Sequence, residues 1–294
     1  MFWPRSRSSR ALLAVAAVLL VPAYIALRAY RDERRCFVPV QHEPRIKAAD
    51  AGITGLRDVS FASRGGATLR GVFAPSSNGA AVVLTHGSNG ERSDVLPEAR
   101  LLHRAGFGVL AFDWPGHGQS TGKLEWGASE RAALASALDF LAAQPGVDAA
   151  RLGAFGFSMG GYITTQLAAR DQRLRAVAMA SSPSDPIEHL YWEYRQFGVL
   201  RQWPALLALR VSGMNTEELV PQHVIADISP RPLLLIAGRD DQIVPNWMTE
   251  KLFAAAREPK QLLLVPNAGH GGYLDADADG YSQKLLGFFE ALLR

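Results

Sequence analysis

Short apolar runs alternate with longer stretches of mixed character through most of this 294-residue chain. The apolar runs predict eight strands, because short segments rich in Val, Leu, Ile and Ala suit a buried sheet. The predicted strands are residues 59–63, 68–74, 80–85, 108–112, 152–157, 176–180, 232–237 and 261–265. Helical patterns follow several of these strands, at residues 95–105, 128–143, 160–170, 246–256 and 281–293. Strands that alternate with helices predict an α/β fold, in which helices flank a mostly parallel, eight-stranded sheet.

The first part of the chain has a different pattern. Residues 11–27 carry no charge and only one proline, and a helix of that length spans about 26 Å, enough for the core of a bilayer. We therefore expect a transmembrane anchor at 11–27, after a basic tail at 1–10, with a juxtamembrane linker at 28–50 and a catalytic domain at 51–294. The alternative is a cleaved signal peptide, which Arg28 disfavours because it interrupts the small-residue cleavage site.

The positive charge of the chain is confined to this N-terminal part. Residues 1–50 hold 9 Lys and Arg against 4 Asp and Glu, a net charge of +5, whereas residues 51–294 hold 22 and 24, a net charge of −2. Arginines on both sides of the predicted anchor would contact anionic lipid headgroups, and their near balance leaves the side of the membrane undecided. The remainder of the chain has no basic face of the kind that binds nucleic acid.

The most informative motif is the G-x-S-x-G pattern at residues 156–160, with Ser158 at its centre. It lies between a predicted strand and a predicted helix. A serine on such a sharp turn projects its hydroxyl above the sheet, and the first N–H groups of the helix point at the group that the serine attacks. The pattern therefore predicts that Ser158 is a nucleophile. The alternative is a small residue that only eases the packing of helix on strand.

A serine nucleophile needs a base, and the base needs a carboxylate that orients it. The chain has Asp241 in the loop after the seventh predicted strand and His270 in the loop after the eighth. The carboxyl ends of parallel strands meet at one edge of the sheet, where open α/β sheets bind their ligands. We therefore predict a catalytic triad of Ser158, Asp241 and His270.

Four further segments accompany the serine motif. They are an H-G loop at residues 85–90, a D-x-x-G-x-G-x-S segment at 113–120, a G-x-x-D-x-x-x-P loop at 238–245 and an A-G-H loop at 268–270. Together and in this order, the five motifs resemble those of the α/β-hydrolase superfamily, over residues 56–294. The similarity is greatest to the serine aminopeptidase or monoacylglycerol-lipase-like branch and to the dienelactone-hydrolase-like branch, between which the motifs do not choose.

The resemblance implies roles for several residues. The backbone N–H groups of Met159 and Ser88 would form the oxyanion hole. Asp241 fits the spacing of the acid loop, so we interpret the adjacent Asp240 as a solvated neighbour. The implied reaction needs no cofactor. Metal binding is not indicated either, since no two of His, Asp and Glu stand at ligand spacing in a suitable context.

A long connection at residues 184–229 separates the sixth and seventh predicted strands. Connections of this length are usually functional, and in the superfamily a helical cap is inserted at this position. The cap is rich in aromatic residues, of which Tyr191, Trp192 and Phe197 are candidates for the substrate pocket. The alternative is that most of them only pack the cap onto the sheet. An apolar roof favours an acyl or aromatic small-molecule substrate over a charged one.

The sequence therefore predicts a serine hydrolase that cleaves acyl bonds through an acyl-enzyme intermediate. Carboxylic esters, including lipid esters, and thioesters are the expected substrates. Two alternatives stay open, because a fold does not fix a function. One is a serine peptidase or aminopeptidase, and the other is a membrane-tethered binding domain without catalytic activity.

Overall fold

An eight-stranded sheet lies at the centre of the computed structural model, which describes residues 7–35, 38–39, 41–215, 218 and 220–293, with side chains between residues 18 and 290. The strands are β1 (Arg57–Ala62), β2 (Thr68–Ala74), β3 (Ala81–Thr85), β4 (Gly108–Phe112), β5 (Leu152–Phe157), β6 (Leu174–Ala180), β7 (Leu233–Gly238) and β8 (Lys260–Val265). Their spatial order is β1-β2-β4-β3-β5-β6-β7-β8. Strands β3 to β8 are parallel to one another, whereas β2 is antiparallel to both of its neighbours.

The central strands are buried on both faces. Every residue of β3, β4 and β7 is buried, whereas Val59 is the single buried residue of the edge strand β1. A parallel sheet is covered by helices on both sides, so its strands are continuous apolar runs without polar alternation. This is why the apolar runs of the sequence locate the strands well.

Helices surround the sheet and lie in the connections between its strands. They are α1 (Arg7–Arg35), α2 (Leu96–Arg104), α3 (Ala128–Ala142), α4 (Met159–Ala168), α5 (Pro186–Glu193), α6 (Val199–Val211), α7 (Pro221–Val224), α8 (Asn246–Ala255), α9 (Tyr273–Ala276) and α10 (Ala278–Leu293). Helices α3, α4 and α8 pack on one face, where Leu138, Ile163 and Leu252 join one buried apolar cluster. Helices α2 and α10 pack on the other face, where Leu102 and Phe289 join a second cluster.

This architecture confirms the predicted α/β-hydrolase fold of a mostly parallel, eight-stranded sheet flanked by helices. Each predicted strand and helix overlaps an observed one. After the N-terminal helix, the largest difference is at α10, which begins at Ala278 and not at residue 281. Asp277 lies directly before this helix, and its side chain accepts a hydrogen bond from the N–H of Gly280 at 3.0 Å, so the polar first turn is helical although it lacks an apolar pattern.

The connection between β6 and β7, where the sequence predicted an insertion at 184–229, is helical. Helix α5 begins at Pro186, and the side chain of Asp185 accepts hydrogen bonds from the N–H groups of Ile187 and Glu188, as a helix cap does. Helix α6 follows and packs against α5. Leu209 of α6 is buried in the same apolar cluster as α3 and α4.

Helix α1 packs along α6. Ala29 is fully buried and Glu33 is 7% exposed. Within the described residues, we find no helix whose length and apolar character would let it cross a membrane. The predicted anchor at residues 11–27 is therefore wrong, and so is the membrane localisation inferred from it. The lipid contact that was predicted through this helix has no support.

The C-terminal half of α1 explains why the prediction of a membrane anchor is wrong. The prediction treated residues 11–27 as a segment that ends at Arg28, but the helix continues to Arg35. Its last turns carry several charged side chains and also bury Ala29 and Glu33 against the rest of the protein. A hydropathy window detects an apolar run, but it does not detect that the adjoining charged turns of the same helix dock on the protein.

Candidate active site

Ser158 lies at the sharp turn between β5 and α4. Its backbone has φ 53° and ψ −118°, a conformation that a residue with a side chain rarely adopts. The surrounding structure holds it there. The N–H of Ser158 donates to the carbonyl oxygen of Ala180 at 2.8 Å, and its own carbonyl oxygen accepts from the N–H of Tyr162 at 3.1 Å. The strain is maintained by these bonds to β6 and to the first turn of α4.

Two glycines allow the turn to form. A Cβ on Gly156 would lie 2.6 Å from the carbonyl oxygen of Gly160, and a Cβ on Gly160 would lie 2.5 Å from the carbonyl oxygen of Thr85. Both distances are far shorter than real Cβ contacts. Strand β5, helix α4 and the loop after β3 can therefore approach one another only because these positions have no side chain.

The structure brings Asp241 and His270 to Ser158. His270 Nε2 lies 3.1 Å from Ser158 Oγ, and His270 Nδ1 lies 2.8 Å from Asp241 Oδ2. Asp241 is 2% exposed, whereas the adjacent Asp240 is exposed. The three side chains thus form one continuous hydrogen-bonded chain across the ends of β5, β7 and β8.

Asp241 is well supplied with donors. Its Oδ1 accepts from the N–H groups of Ile243 and Val244, at 2.9 Å each, and its Oδ2 accepts from the Ser181 hydroxyl at 2.6 Å as well as from His270. Burial alone would raise the pKa of Asp241, but the hydrogen bonds outweigh it and lower the pKa below its ordinary value of 3.8. The carboxyl is therefore ionised at neutral pH and can accept a hydrogen bond from His270 Nδ1.

The loop after β3 is held by buried hydrogen bonds. His86 Nδ1 donates to the carbonyl oxygen of Gly87 at 2.7 Å, and its Nε2 accepts from the N–H of Trp114 at 3.2 Å. The Trp114 indole returns a bond to the carbonyl oxygen of His86 at 2.9 Å. Burial lowers the pKa of His86 to about 4, so the ring stays neutral at pH 7. These bonds fix the loop that carries Gly87 and Ser88 beside Ser158.

A cavity of about 280 Å³ opens at Ser158 and His270. Its wall includes Ser88 and Met159, the two residues implied as oxyanion donors. Apolar and aromatic side chains form much of the remaining wall. Those described are Trp126, Phe157, Tyr162, Pro183, Pro186, Leu190, Leu209, Met214, Ile243 and Val244.

The three aromatic residues that the sequence suggested for the pocket, Tyr191, Trp192 and Phe197, are not among the described residues that line this cavity. Tyr191 is 39% exposed and Phe197 is 63% exposed. The Trp192 indole donates instead to the carbonyl oxygen of Gln242 at 3.1 Å, which ties α5 to the acid loop.

Sequence reasoning missed other residues of the cavity wall. Tyr162 stands one helical turn after Ser158 in α4, so the spacing of four residues could have identified it. Trp126 and Glu33 come from the loop before α3 and from α1, and no local pattern connects either of them to the serine motif. Their positions depend on tertiary packing.

Carboxylates lie in the wall formed by α1 and α5. Glu33 and Glu193 both line the cavity. Burial, and next the charge of Glu193, raises the pKa of Glu33 from 4.5 to about 7, against the effect of a hydrogen bond with Tyr194. The cavity therefore has an acidic end where Glu33 and Glu193 lie. Elsewhere in the part of the chain that the structure describes, no group of three or more His, Cys, Asp or Glu side chains is arranged to hold a metal ion.

Comparison with known proteins gives a consistent picture. Residues 94–294 match the prolyl oligopeptidase family. The uncharacterised protein Rv2307c of Mycobacterium tuberculosis is 32% identical over 270 residues, which cover 89% of this chain and 88% of that protein.

Solved structures are similar in fold. The esterase Pf2001 of Pyrococcus furiosus superimposes with a TM-score of 0.71 at 20% identity, over 87% of this chain and 100% of the esterase. A bacterial membrane phospholipase A superimposes with a TM-score of 0.62 at 20% identity, over 96% of both chains. At such identities the similarity shows the fold alone.

The family match covers more than half of the chain, so the protein belongs to the prolyl oligopeptidase family.

Proposed function

We propose that this member of the prolyl oligopeptidase family is a serine hydrolase that cleaves carboxylic ester bonds, with thioesters as related substrates. The observation that carries the proposal is the hydrogen-bonded chain from Asp241 through His270 to Ser158, which ends at a cavity. A binding domain would have no need for a strained serine within 3.1 Å of a histidine that a buried carboxylate orients.

In this mechanism, His270 Nε2 takes the proton of Ser158 as Oγ attacks the acyl carbonyl. Asp241 Oδ2 accepts a hydrogen bond from the N–H at His270 Nδ1, so it holds the ring in the required tautomer and stabilises the imidazolium that forms. His270 then gives its proton to the leaving group. Water repeats the sequence on the acyl-enzyme and releases the acid.

The charge that develops on the carbonyl oxygen needs donors that are already in place. Met159 is the first residue of α4, so its N–H belongs to the free N–H groups at a helix N-terminus. The H-G loop also lies close to Ser158, because a Cβ on Gly87 would be 3.0 Å from the Ser158 Cβ. We assign the oxyanion hole to the N–H groups of Met159 and Ser88. Loss of one such donor costs about 3 kcal/mol of transition-state stabilisation.

The size and the wall of the cavity support an uncharged acyl group of modest length. Ligand pockets commonly measure about 300–1,000 Å³, and this cavity, at about 280 Å³, is at the lower end of that range. Leu190, Leu209 and Met214 give it apolar sides. A short or medium acyl chain fits such a space better than a lipid with two long chains.

A specific observation favours a second candidate function, an aminopeptidase-like activity. Glu33 and Glu193 give the cavity an acidic end, and above pH 7, where Glu33 is ionised, the pair would bind the free ammonium group of an aminoacyl substrate. The same triad would then cleave an amide bond. The two candidates differ in whether the acyl group carries a positive charge.

A fluorophosphonate probe followed by a substrate series tests both candidates. We expect the probe to label the native protein and to leave Ser158→Ala unlabelled. Nitrophenyl esters from acetyl to dodecanoyl should be hydrolysed fastest at short or medium length. Aminoacyl nitroanilides of matched size form the second arm, with Glu33→Gln as the variant that should impair only substrates with an ammonium group.

The outcomes separate the functions. Absence of labelling and of turnover would favour a binding domain without catalytic activity and would contradict the proposal. Faster cleavage of aminoacyl nitroanilides than of esters, lost in Glu33→Gln, would establish the second candidate in place of the first. Hydrolysis of esters that is unaffected by Glu33→Gln supports the proposed esterase.

A further inference from the structure

Behind the candidate triad, a chain of buried hydroxyl groups leads away from Asp241. Asp241 Oδ2 accepts from Ser181 Oγ at 2.6 Å, and the Ser181 Oγ in turn lies 2.7 Å from the Tyr273 hydroxyl. Ser181 is fully buried and Tyr273 is 2% exposed. Neither residue contributes to the mechanism described above.

The direction of the hydrogen bonds follows from chemistry. An ionised carboxylate has no proton to donate, so Ser181 must donate its single hydroxyl proton to Asp241. In the hydrogen bond between Tyr273 and Ser181, the Tyr273 hydroxyl must therefore be the donor and Ser181 Oγ the acceptor. Burial raises the pKa of Tyr273 well above its ordinary value of 10.0, so this phenol remains a donor over the whole working range of pH. The polarity of the chain is therefore fixed from Tyr273 to Ser181 to Asp241.

The backbone holds Ser181 in this place. It lies directly after β6 with φ 45°, in the left-handed region that a serine rarely adopts. Its N–H donates to the carbonyl oxygen of Ile236 in β7 at 2.8 Å. Tyr273 begins α9, three residues after His270. The hydroxyl chain thus ties together the end of β6, the acid loop after β7 and the histidine loop after β8.

We propose that Ser181 and Tyr273 are positioning residues that hold the Asp241 carboxylate in the orientation in which its Oδ2 meets His270. That Ser181 and Tyr273 contribute to catalysis in this way rests on the proposed function. Two donors compete for Oδ2, Ser181 and His270. If the Ser181 hydroxyl is removed, one of the four hydrogen bonds that hold the carboxylate is lost, and His270 becomes the single donor to Oδ2, while the N–H groups of Ile243 and Val244 still hold Oδ1.

The groups that face Asp241 determine how this change is observed. Among the described residues, the titratable ones are His270, His189 of α5 and Tyr273 of α9. Glu98 acts on Tyr273 from α2. Loss of the Ser181 donor should strengthen the attraction between Asp241 and an imidazolium, so the proton affinity of His270 should rise. The acid limb of the pH profile would then move to higher pH.

The experiment compares Ser181→Ala and Tyr273→Phe with Tyr281→Phe in the full-length protein. Tyr281 is an equally buried tyrosine whose ring lies 5.2 Å from that of Tyr273, but its hydroxyl bonds to Glu98 Oε1 at 3.1 Å and not to Ser181. Each tyrosine variant removes one buried hydroxyl from the same cluster. The control therefore reports the effect of a lost hydroxyl that is not connected to Asp241.

We expect kcat for an ester to fall roughly tenfold in Ser181→Ala, with KM little changed, because a hydrogen bond to a charged group is lost. The acid limb of kcat/KM should move up by about half a unit to one unit. Tyr273→Phe should shift it in the same direction by less, and Tyr281→Phe should not shift it.

The titration of the His270 ring protons by NMR gives a readout that does not need turnover. A raised midpoint in Ser181→Ala and in Tyr273→Phe, but not in Tyr281→Phe, supports the positioning role. An unchanged midpoint in a folded Ser181→Ala variant, or equal shifts in all three variants, would overturn it. If the NMR shifts occur while the native protein hydrolyses no ester and takes no fluorophosphonate, the proposed function fails and the positioning of His270 through Asp241 stands.

Discussion

Two walls of the cavity are held by different forces. The carboxyl edge of the sheet carries Ser158, Asp241 and His270, and buried hydrogen bonds of 2.6–3.1 Å fix these side chains. The opposite wall, which we call the roof, consists of α1, α5 and α6. Its buried residues pack mostly through apolar contacts, with one hydrogen bond between Glu33 and Tyr194, and many of its large apolar side chains, such as Trp203 at 72% exposure, are exposed.

The difference separates chemistry from selectivity. Hydrogen bonds are directional, so the edge has one working geometry and tolerates little change. Apolar packing is not directional, so the roof can be reshaped at a cost in stability while the reacting atoms keep their places. Substitutions at the edge should therefore abolish turnover without much effect on folding. Substitutions in the roof should alter stability and substrate preference.

Ser158→Ala gives the largest expected effect. The side chain is small, so its loss removes little packing, but without Oγ no acyl-enzyme can form. We expect kcat to fall on the order of a millionfold, with an unchanged midpoint of thermal unfolding. Ester turnover followed beside circular dichroism measures both. A variant that keeps turnover comparable to that of the native protein would remove Ser158 from the mechanism.

Asp241→Asn is expected to be the next largest. An amide at this position favours the wrong tautomer of His270, and kcat should drop by roughly ten-thousandfold. Asp240→Asn is the matched control, because Asp240 is the adjacent, exposed carboxylate. Steady-state kinetics on both variants test the assignment, and an exchange of the two effects would move the acid to Asp240.

The two walls also differed in how far the sequence predicted them. Ser158, Asp241 and His270 each follow a strand of the parallel part of the sheet, and parallel strands bring their carboxyl ends to one edge whatever surrounds them. The roof has no such rule. Tyr191, Trp192 and Phe197 were chosen because they are aromatic, but a helix has several faces, and α5 presents Leu190 to the cavity.

Helix α1 shows the same limit more clearly. Its apolar run predicted a membrane anchor, whereas the structure buries Ala29 and Glu33 beside α6. The partner of this helix, α6, begins at Val199, more than 160 residues after α1 ends at Arg35, and no local pattern encodes that contact. Similarly, Ser181 and Tyr273 stand outside every motif. The Ser181 hydroxyl meets Asp241, and the Tyr273 hydroxyl meets Ser181, only in the folded protein.

Leu209→Ala tests whether the roof determines stability and substrate preference. Leu209 is 3% exposed and lines the cavity, so the variant should lose about 2–4 kcal/mol of unfolding free energy and accept longer acyl chains. Leu207→Ala, at a position of the same helix that is 55% exposed, is the control. Chemical denaturation and the nitrophenyl ester series are the measurements. A change in the acid limb of the pH profile, in place of chain-length preference, would contradict the separation of the two walls.

Glu33→Gln tests the roof through the pH dependence of stability, and we expect it to change the protein less than the other substitutions do. Burial and the charge of Glu193 raise the pKa of Glu33 in the folded protein from 4.5 to about 7. Between these two values the folded state keeps a proton that the unfolded state has released, so this group makes stability fall as pH rises through that window. The contribution reaches at most about 3 kcal/mol above pH 7, since each unit of pKa shift corresponds to about 1.4 kcal/mol.

Glutamine cannot ionise, so the unfolding midpoint of Glu33→Gln relative to the native protein should rise from pH 4.5 to 7 and then level off. Glu250→Gln, at an exposed carboxylate, is the control, and a difference for Glu33→Gln that is constant across this range would show that Glu33 is not the group that titrates.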